Sequence, residues 1–477
     1  MQFWTLVVHL MKFTPQHTAL NRELFGPDFN WGVSTAAFQI EGAHDADGKG
    51  QSVWDNFTEK KGKILNDDHA RDACDFYNRY EEDIDLIKKL NIPNFRFSIS
   101  WTRLLPDGTG RVNQAGVDYY NRVINYCLEQ GIEPWVTIYH WDLPLALEQK
   151  GGWANRDVIA WFCEFTTLCA QSFGDRVKYW MVMNEPVVFT GAGYFFGIHA
   201  PGRSGIRSFT SVVHHVVLSI VAGARILRSL LPHAQIGNTF SCSLVEPLTD
   251  KPRDVAAAVR VDALINRLFI EPLLGLGYPI KDLPALKGIQ KYTLPGDENH
   301  MQFDFDFIGV QNYTREIVKY SFFTPYVGAR IVKAENRKVG LTAMRWEIHP
   351  PAIYHMIKKF AAYPQIKNII ITENGSAFPD EVTDGEVNDP KRLQYLQDYL
   401  GQVLKAKNEG CNVNGYFVWT LTDNFEWAEG YHPRFGLIHV DHTTQKRIIK
   451  TSGKWFAEFL KKPIKQKELT LEARSGM

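Results

Sequence analysis

The chain carries no excess charge: 53 Lys and Arg offset 53 Asp and Glu over 477 residues. A protein that tracks a nucleic-acid backbone needs a basic surplus or stripe, and neither is present, so no nucleic-acid partner is expected. Cysteine is scarce and unpatterned. Cys74, Cys127, Cys163, Cys169, Cys242 and Cys411 form no CxxC pair and no paired Cys/His spacing. This argues against a metal site and against a disulfide framework, and no metal or cofactor is expected. No Pro/Ser-rich or low-complexity stretch offers a linker between domains. Apart from residues 3–11, no stretch reads as approaching the roughly 20 apolar residues of a membrane span, so no membrane partner is expected. Residues 3–11 lack a basic flank, contain His9 and are not followed by a small-residue cleavage site. They read as a tail ahead of a start at Met11 and not as a secretion signal, which implies a cytoplasmic protein.

What is present is periodic. Eight short, mostly apolar runs at 30–34, 94–100, 134–139, 179–184, 235–240, 307–312, 368–373 and 415–420 read as buried strands. Amphipathic patterns lie between them. Leu393, Leu396, Leu400, Val403 and Leu404 share one helix face, and residues 117–130 end at Gly131, a residue suited to closing a helix. Eight alternations of this kind predict an α/β fold, a single (β/α)8 TIM barrel over residues 25–462, with an extension at 1–24 and a tail at 463–477. The strand-to-helix segments 41–70, 186–208, 313–349 and 421–451 are long, whereas most helix-to-strand connections are brief. Long loops therefore gather at the carboxyl ends of the strands, where barrel enzymes build their sites. Segment 275–306 is long and precedes a strand, against this rule.

Two of the runs end alike. Tyr179-Trp180-Met181-Val182 leads to Met183-Asn184-Glu185-Pro186, and Ile369-Ile370-Ile371 leads to Thr372-Glu373-Asn374-Gly375. A carboxylate at the carboxyl end of each of two barrel strands is the pair that glycosidic bond cleavage needs. A lone strand-end glutamate would more simply be a surface acid.

Seven stretches then carry a resemblance. They are residues 31–42 (WGVSTAAFQIEG), 95–101 (FRFSISW) and 140–144 (HWDLP), Asn184-Glu185-Pro186, Asn312-Tyr313, Thr372-Glu373-Asn374-Gly375, and Asp423-Asn424-Phe425-Glu426-Trp427. In this order the chain resembles the family-one glycoside hydrolases of β-glucosidase type. The resemblance implies a retaining, exo-acting β-glycosidase for terminal non-reducing β-D-glucosyl, and also galactosyl or fucosyl, residues. Glu185 would be the acid/base and Glu373 the nucleophile, and Arg96 and Tyr313 would hydrogen-bond the nucleophile. Gln39, His140, Asn184, Glu426 and Trp427 would bind the sugar, Trp419 would lie under its ring, and Trp346 would line the leaving-group side. Its substrates would be small β-glucosides or cello-oligosaccharides, and the sequence leaves open whether copies form a homo-oligomer.

Departures qualify this reading. Arg345 stands beside Trp346 where many relatives have glycine, which bears on the leaving group. Relatives acting on 6-phosphosugars carry a Ser…Lys…Tyr arrangement near Glu426. Here Glu426 would repel phosphate, and Arg434 is the one opposing cation. A 6-phospho-β-glucosidase is the alternative, followed by an inactive sugar-binding barrel, which the presence of both glutamates disfavours. The sequons Asn312-Tyr313-Thr314 and Asn374-Gly375-Ser376 fall inside the expected pocket and read as unused.

Overall fold

Each apolar run has the right length for a strand buried on both faces, and the eight runs close on one another. In the computed structural model, which describes residues 20–461, the strands are β1 (Asn30–Ser34), β2 (Asn94–Ser98), β3 (Glu133–Tyr139), β4 (Tyr179–Asn184), β5 (Gln235–Ser241), β6 (Phe307–Gln311), β7 (Ile369–Asn374) and β8 (Val413–Trp419). All neighbours pair in parallel, and β8 returns to β1, so the sheet is a closed barrel in chain order. A long helix lies in each connection and one more, Thr451–Leu460, follows β8. Residues 1–19 of the expected extension, residue 462 and the whole expected tail 463–477 lie outside the described residues.

The period of two in each strand separates two cores. Trp31, Val33, Phe95, Phe97, Val136, Ile138, Trp180 and Val182 face outward and join the large cluster beneath the helices. Trp135, Met181, Phe307, Ile370 and Phe417 face inward and form a separate plug. Within the plug Trp135 stacks on Tyr179 at 3.9 Å and meets Phe417 at 4.9 Å. Aromatic side chains of this size fit inside an eight-stranded barrel only beside very small residues. Gly32 faces Phe417 so closely that a Cβ there would lie 2.2 Å from the ring, and one on Gly237 would lie 2.4 Å from the ring of Phe307. Above the plug the inward positions turn polar: Arg96, Thr137, Thr239 and Gln311 are all buried.

Two further features differ from the sequence reading. Helix Ile206–Leu230 is long and apolar enough to cross a membrane, with mean hydropathy 1.5 over an 18-residue window, contrary to the expectation that no such stretch exists. It is a core helix: 83% of that window is buried, much of it against Val158–Phe173. Segment 275–306 supplies part of the cover. Its turns Pro284–Lys291 and Asp297–His300 pack on that helix, burying Leu283, Leu286 and Ile289. Asp297 bonds His214 of the helix at 2.7 Å and Arg156 at 3.0 Å. The long apolar helix thus explains the long loop.

Candidate active site

Strict alternation along β4 and β7 would turn Asn184 and Glu373 away from the barrel axis. Register shifts intervene, between Met181 and Asn184 in β4 and between Ile371 and Glu373 in β7. Such irregularities re-aim a side chain, and here both residues point into the barrel mouth. Glu185 follows at φ 43°, ψ 62°, ahead of the short helix Pro186–Thr190. Glu185 and Glu373 line one cavity of about 300 Å³. Trp141 (φ 81°) and Trp427 (φ 52°) line it too, so three non-glycine residues in the left-handed region surround one cleft. Backbone strain of this kind collects at functional sites.

The two carboxyls are supported unequally. Glu373 accepts from Arg96 Nη1 at 2.5 Å through one oxygen and from the Tyr313 hydroxyl at 2.7 Å through the other. Burial raises the pKa of both groups, but at Glu373 the Arg96 charge and these hydrogen bonds act against it. At Glu185 burial is the main cause and the charge of Glu373 adds to it, holding Glu185 well above the usual carboxylate range. A proton shared by the pair therefore resides on Glu185.

Asn184 is clamped. Its Oδ1 accepts from Arg96 Nη2 at 2.6 Å, Thr239 Oγ1 at 2.9 Å and Gln311 Nε2 at 2.9 Å. With its oxygen so occupied, its amide nitrogen faces His140 Nε2 at 3.0 Å. An amide N–H can only donate, so Nε2 accepts and the proton of His140 is on Nδ1, which has no partner. Burial, and after it the Arg96 charge, keep this imidazole neutral. Gln39 donates through Nε2 to the Phe425 carbonyl at 2.8 Å and to Glu426 at 3.3 Å, and its Oε1 is unpartnered. Trp419 and Trp427 lie 6.1 Å and 5.9 Å from the His140 ring. Trp346 meets Tyr313 at 5.3 Å.

Ring order divides the mouth. From β4 to β7 the short way passes β5 and β6, the long way β3, β2, β1 and β8. Gln39, His140, Trp419, Glu426 and Trp427 belong to the four-strand side, and Trp346 stands in the β6–β7 connection on the two-strand side. The sequence-predicted residues are thus brought together around one cleft, with Glu185 and Glu373 on its dividing line.

A sequence profile described as glycosyl hydrolase family 1 matches residues 21–464. The chain belongs to this family. It is 44% identical to β-glucosidase A of Thermotoga maritima over 93% of this chain and 99% of that one. It is 42% identical to a 1,4-β-D-glucan glucohydrolase of Thermotoga neapolitana, covering 92% and 98%. A solved structure of the T. maritima β-glucosidase in complex with deoxynojirimycin superposes with a TM-score of 0.87 at 43% identity, covering 91% and 97%.

In this family 1 chain the structure bears on two expectations. Arg345 left the leaving-group preference open; Met344 and Trp346 line the cavity, while Arg345 is exposed and 3.4 Å from Glu335. Its φ of 60° lies in the left-handed region that favours glycine. Glu426 was expected to repel phosphate as an anion. Burial first, and the charge of Glu373 second, push it up to about 8, which weakens that repulsion near neutral pH. Phosphate is disfavoured for a further reason: among the described residues no Lys or Arg lines the cavity, and Arg434 is engaged with Asp423 at 3.1 Å. Asn312 and Asn374 are fully buried with both amide nitrogens donating to neighbouring backbone or side-chain groups, which suits unused sequons. The sequence reading missed Thr239 and Gln311, whose only signal was polarity inside apolar runs, and it left Trp141 unassigned although it quoted the stretch containing it. The Trp141 indole donates to the Asn184 carbonyl at 2.9 Å.

Proposed function

We propose that this chain is a retaining, exo-acting β-glucosidase that removes terminal non-reducing β-D-glucosyl residues from small β-glucosides and cello-oligosaccharides, and accepts galactosyl and fucosyl residues. The relatives named β-glucosidase and 1,4-β-D-glucan glucohydrolase support the substrate class. The observation that carries the mechanism is the unequal support of the two carboxyls. Glu373, oriented by Arg96 and Tyr313, attacks the anomeric carbon, while Glu185 gives its proton to the departing oxygen as the C1–O bond breaks. Glu185, now ionised, takes a proton from water. That water attacks C1, and Glu373 leaves as carboxylate. Asn184, through its free amide hydrogen, would bind the 2-hydroxyl, where a hydrogen bond strengthens in the transition state. His140 Nδ1–H, Gln39 Oε1 and Glu426 would take the remaining hydroxyls over the face of Trp419, with Trp427 beside them.

Two inversions at C1 return the β configuration. Proton NMR during early turnover of an aryl β-glucoside is expected to show β-glucose first. Release of α-glucose first would overturn the roles given to Glu185 and Glu373. The six free thiols support a reducing, intracellular location.

A further inference from the structure

The two-strand side of the mouth holds a carboxyl that the mechanism does not use. Glu316 sits on the strand Arg315–Tyr320 and lines the same cavity as Glu185 and Glu373. Its neighbours in the strand are committed elsewhere. Arg315 bonds Glu347 at 2.8 Å and Glu246 at 2.8 Å, and Ile317 and Val318 are buried. Glu316 itself makes no side-chain hydrogen bond or ion pair among the described residues, and it is half-buried toward the cleft. The positive charge that acts on it is Arg337, whose Nη1 is taken by Glu347 at 2.6 Å and whose Nε has no partner. Burial accordingly raises the Glu316 carboxyl to about 7.

A carboxyl left without a partner at the wall of a substrate cleft is poorly solvated until a ligand bonds it. The ring order puts it beyond the dividing line of Glu185 and Glu373, opposite Gln39 and Glu426. Ser243 from the end of β5 lines the same wall, and Trp346 offers a flat face. Acceptors and a hydroxyl beside an indole suit a group that carries hydroxyls on its edges and C–H bonds on its face. An alkyl or plain aryl group would leave the carboxyl unpaired.

We propose that Glu316 is a specificity-determining residue that accepts hydrogen bonds from hydroxyls of the leaving sugar, so that the leaving-group side prefers a glycosyl unit over an alkyl or aryl one. This rests on the β-glucosidase reading of the site. The test compares wild type, Glu316→Ala and Glu316→Gln on cellobiose and on 4-nitrophenyl β-glucoside, which share the glucosyl half and the covalent intermediate. Glu316→Ala is expected to lower kcat/KM on cellobiose about tenfold to thirtyfold more than on the aryl glucoside, chiefly through KM. Glu316→Gln, which keeps an acceptor oxygen, should fall between. Thermal midpoints of the variants identify any loss from misfolding, which would strike both substrates alike. Equal losses on the two substrates would overturn the proposal and make Glu316 a counter-charge for Arg337. Absence of glucose from both substrates with the wild-type protein would instead overturn the β-glucosidase reading.

Discussion

Glu185 and Glu373 are the same residue type, each at a strand end beside an asparagine, so the company each keeps separates their roles. Arg96 and Tyr313 hold both oxygens of Glu373, whereas Glu185 is buried and repelled by Glu373. Glu373→Ala is expected to abolish turnover of every β-glucoside, because no covalent intermediate can form. Glu185→Ala is expected to cleave a dinitrophenyl glucoside in a burst and then stall. Added azide should restore turnover and yield β-glucosyl azide, and alkyl glucosides should stay uncleaved. Product analysis by NMR checks this, and α-glucosyl azide from Glu185→Ala would exchange the roles. Glu426 tests the sugar side. Glu426→Ser removes its contacts to sugar hydroxyls and is expected to lower kcat/KM on neutral glucosides by about 2–4 kcal/mol equivalent. With a carboxyl pushed up to about 8, Glu426→Gln is closer to the protonated group and should lose less.

At the scale of elements, small residues and broken registers matter more than propensity. The plug of Trp135, Phe307 and Phe417 supports the polar layer above it, and the absence of a side chain at Gly32 makes room for Phe417. Gly32→Ala is expected to destabilise by about 1–3 kcal/mol through overpacking, read as a fall in thermal midpoint. Phe417→Leu should offset part of that loss in the double variant, since the two residues share one contact. The register shifts in β4 and β7 act at the other end of the same strands, turning Asn184 and Glu373 inward.

For the molecule as a whole, burial of carboxyls sets how stability follows pH. Glu426 and Asp142 are raised to about 8 and about 7, first of all by burial. Groups raised in the folded state favour folding below their unfolded pKa and lose that contribution as pH rises to the folded value. Each costs on the order of 1.4 kcal/mol per pH unit across that window. Asp297 and Asp423, lowered by their cationic partners against the effect of burial, act in the opposite sense below about pH 4. The buried neutral histidines His140, His199 and His442, lowered first of all by burial, add stability as pH rises to about 6.5, so the thermal midpoint of the ligand-free protein is expected to decline between about pH 6.5 and 8, where the raised carboxyls act unopposed. Glu426→Gln should flatten that decline, and an unchanged slope would count against protonation of Glu426.

Strand count, strand positions and the two glutamates were legible in the sequence, because burial on both faces requires short continuous apolar runs and an acid ending such a run is conspicuous. The family motifs added the surrounding residues in order. Only the tertiary structure decided which way those residues point and where the proton sits. A register shift turns Asn184 and Glu373 inward, although alternation alone would turn them outward. The clamp of Thr239 and Gln311 on Asn184 joins residues 55 and 127 positions away from it. The apolar helix Ile206–Leu230 is a core helix because distant segments cover it. Charge states at Glu185 and Glu426 follow the same logic: burial and Coulomb interaction sum over neighbours that the fold, and not the chain order, assembles.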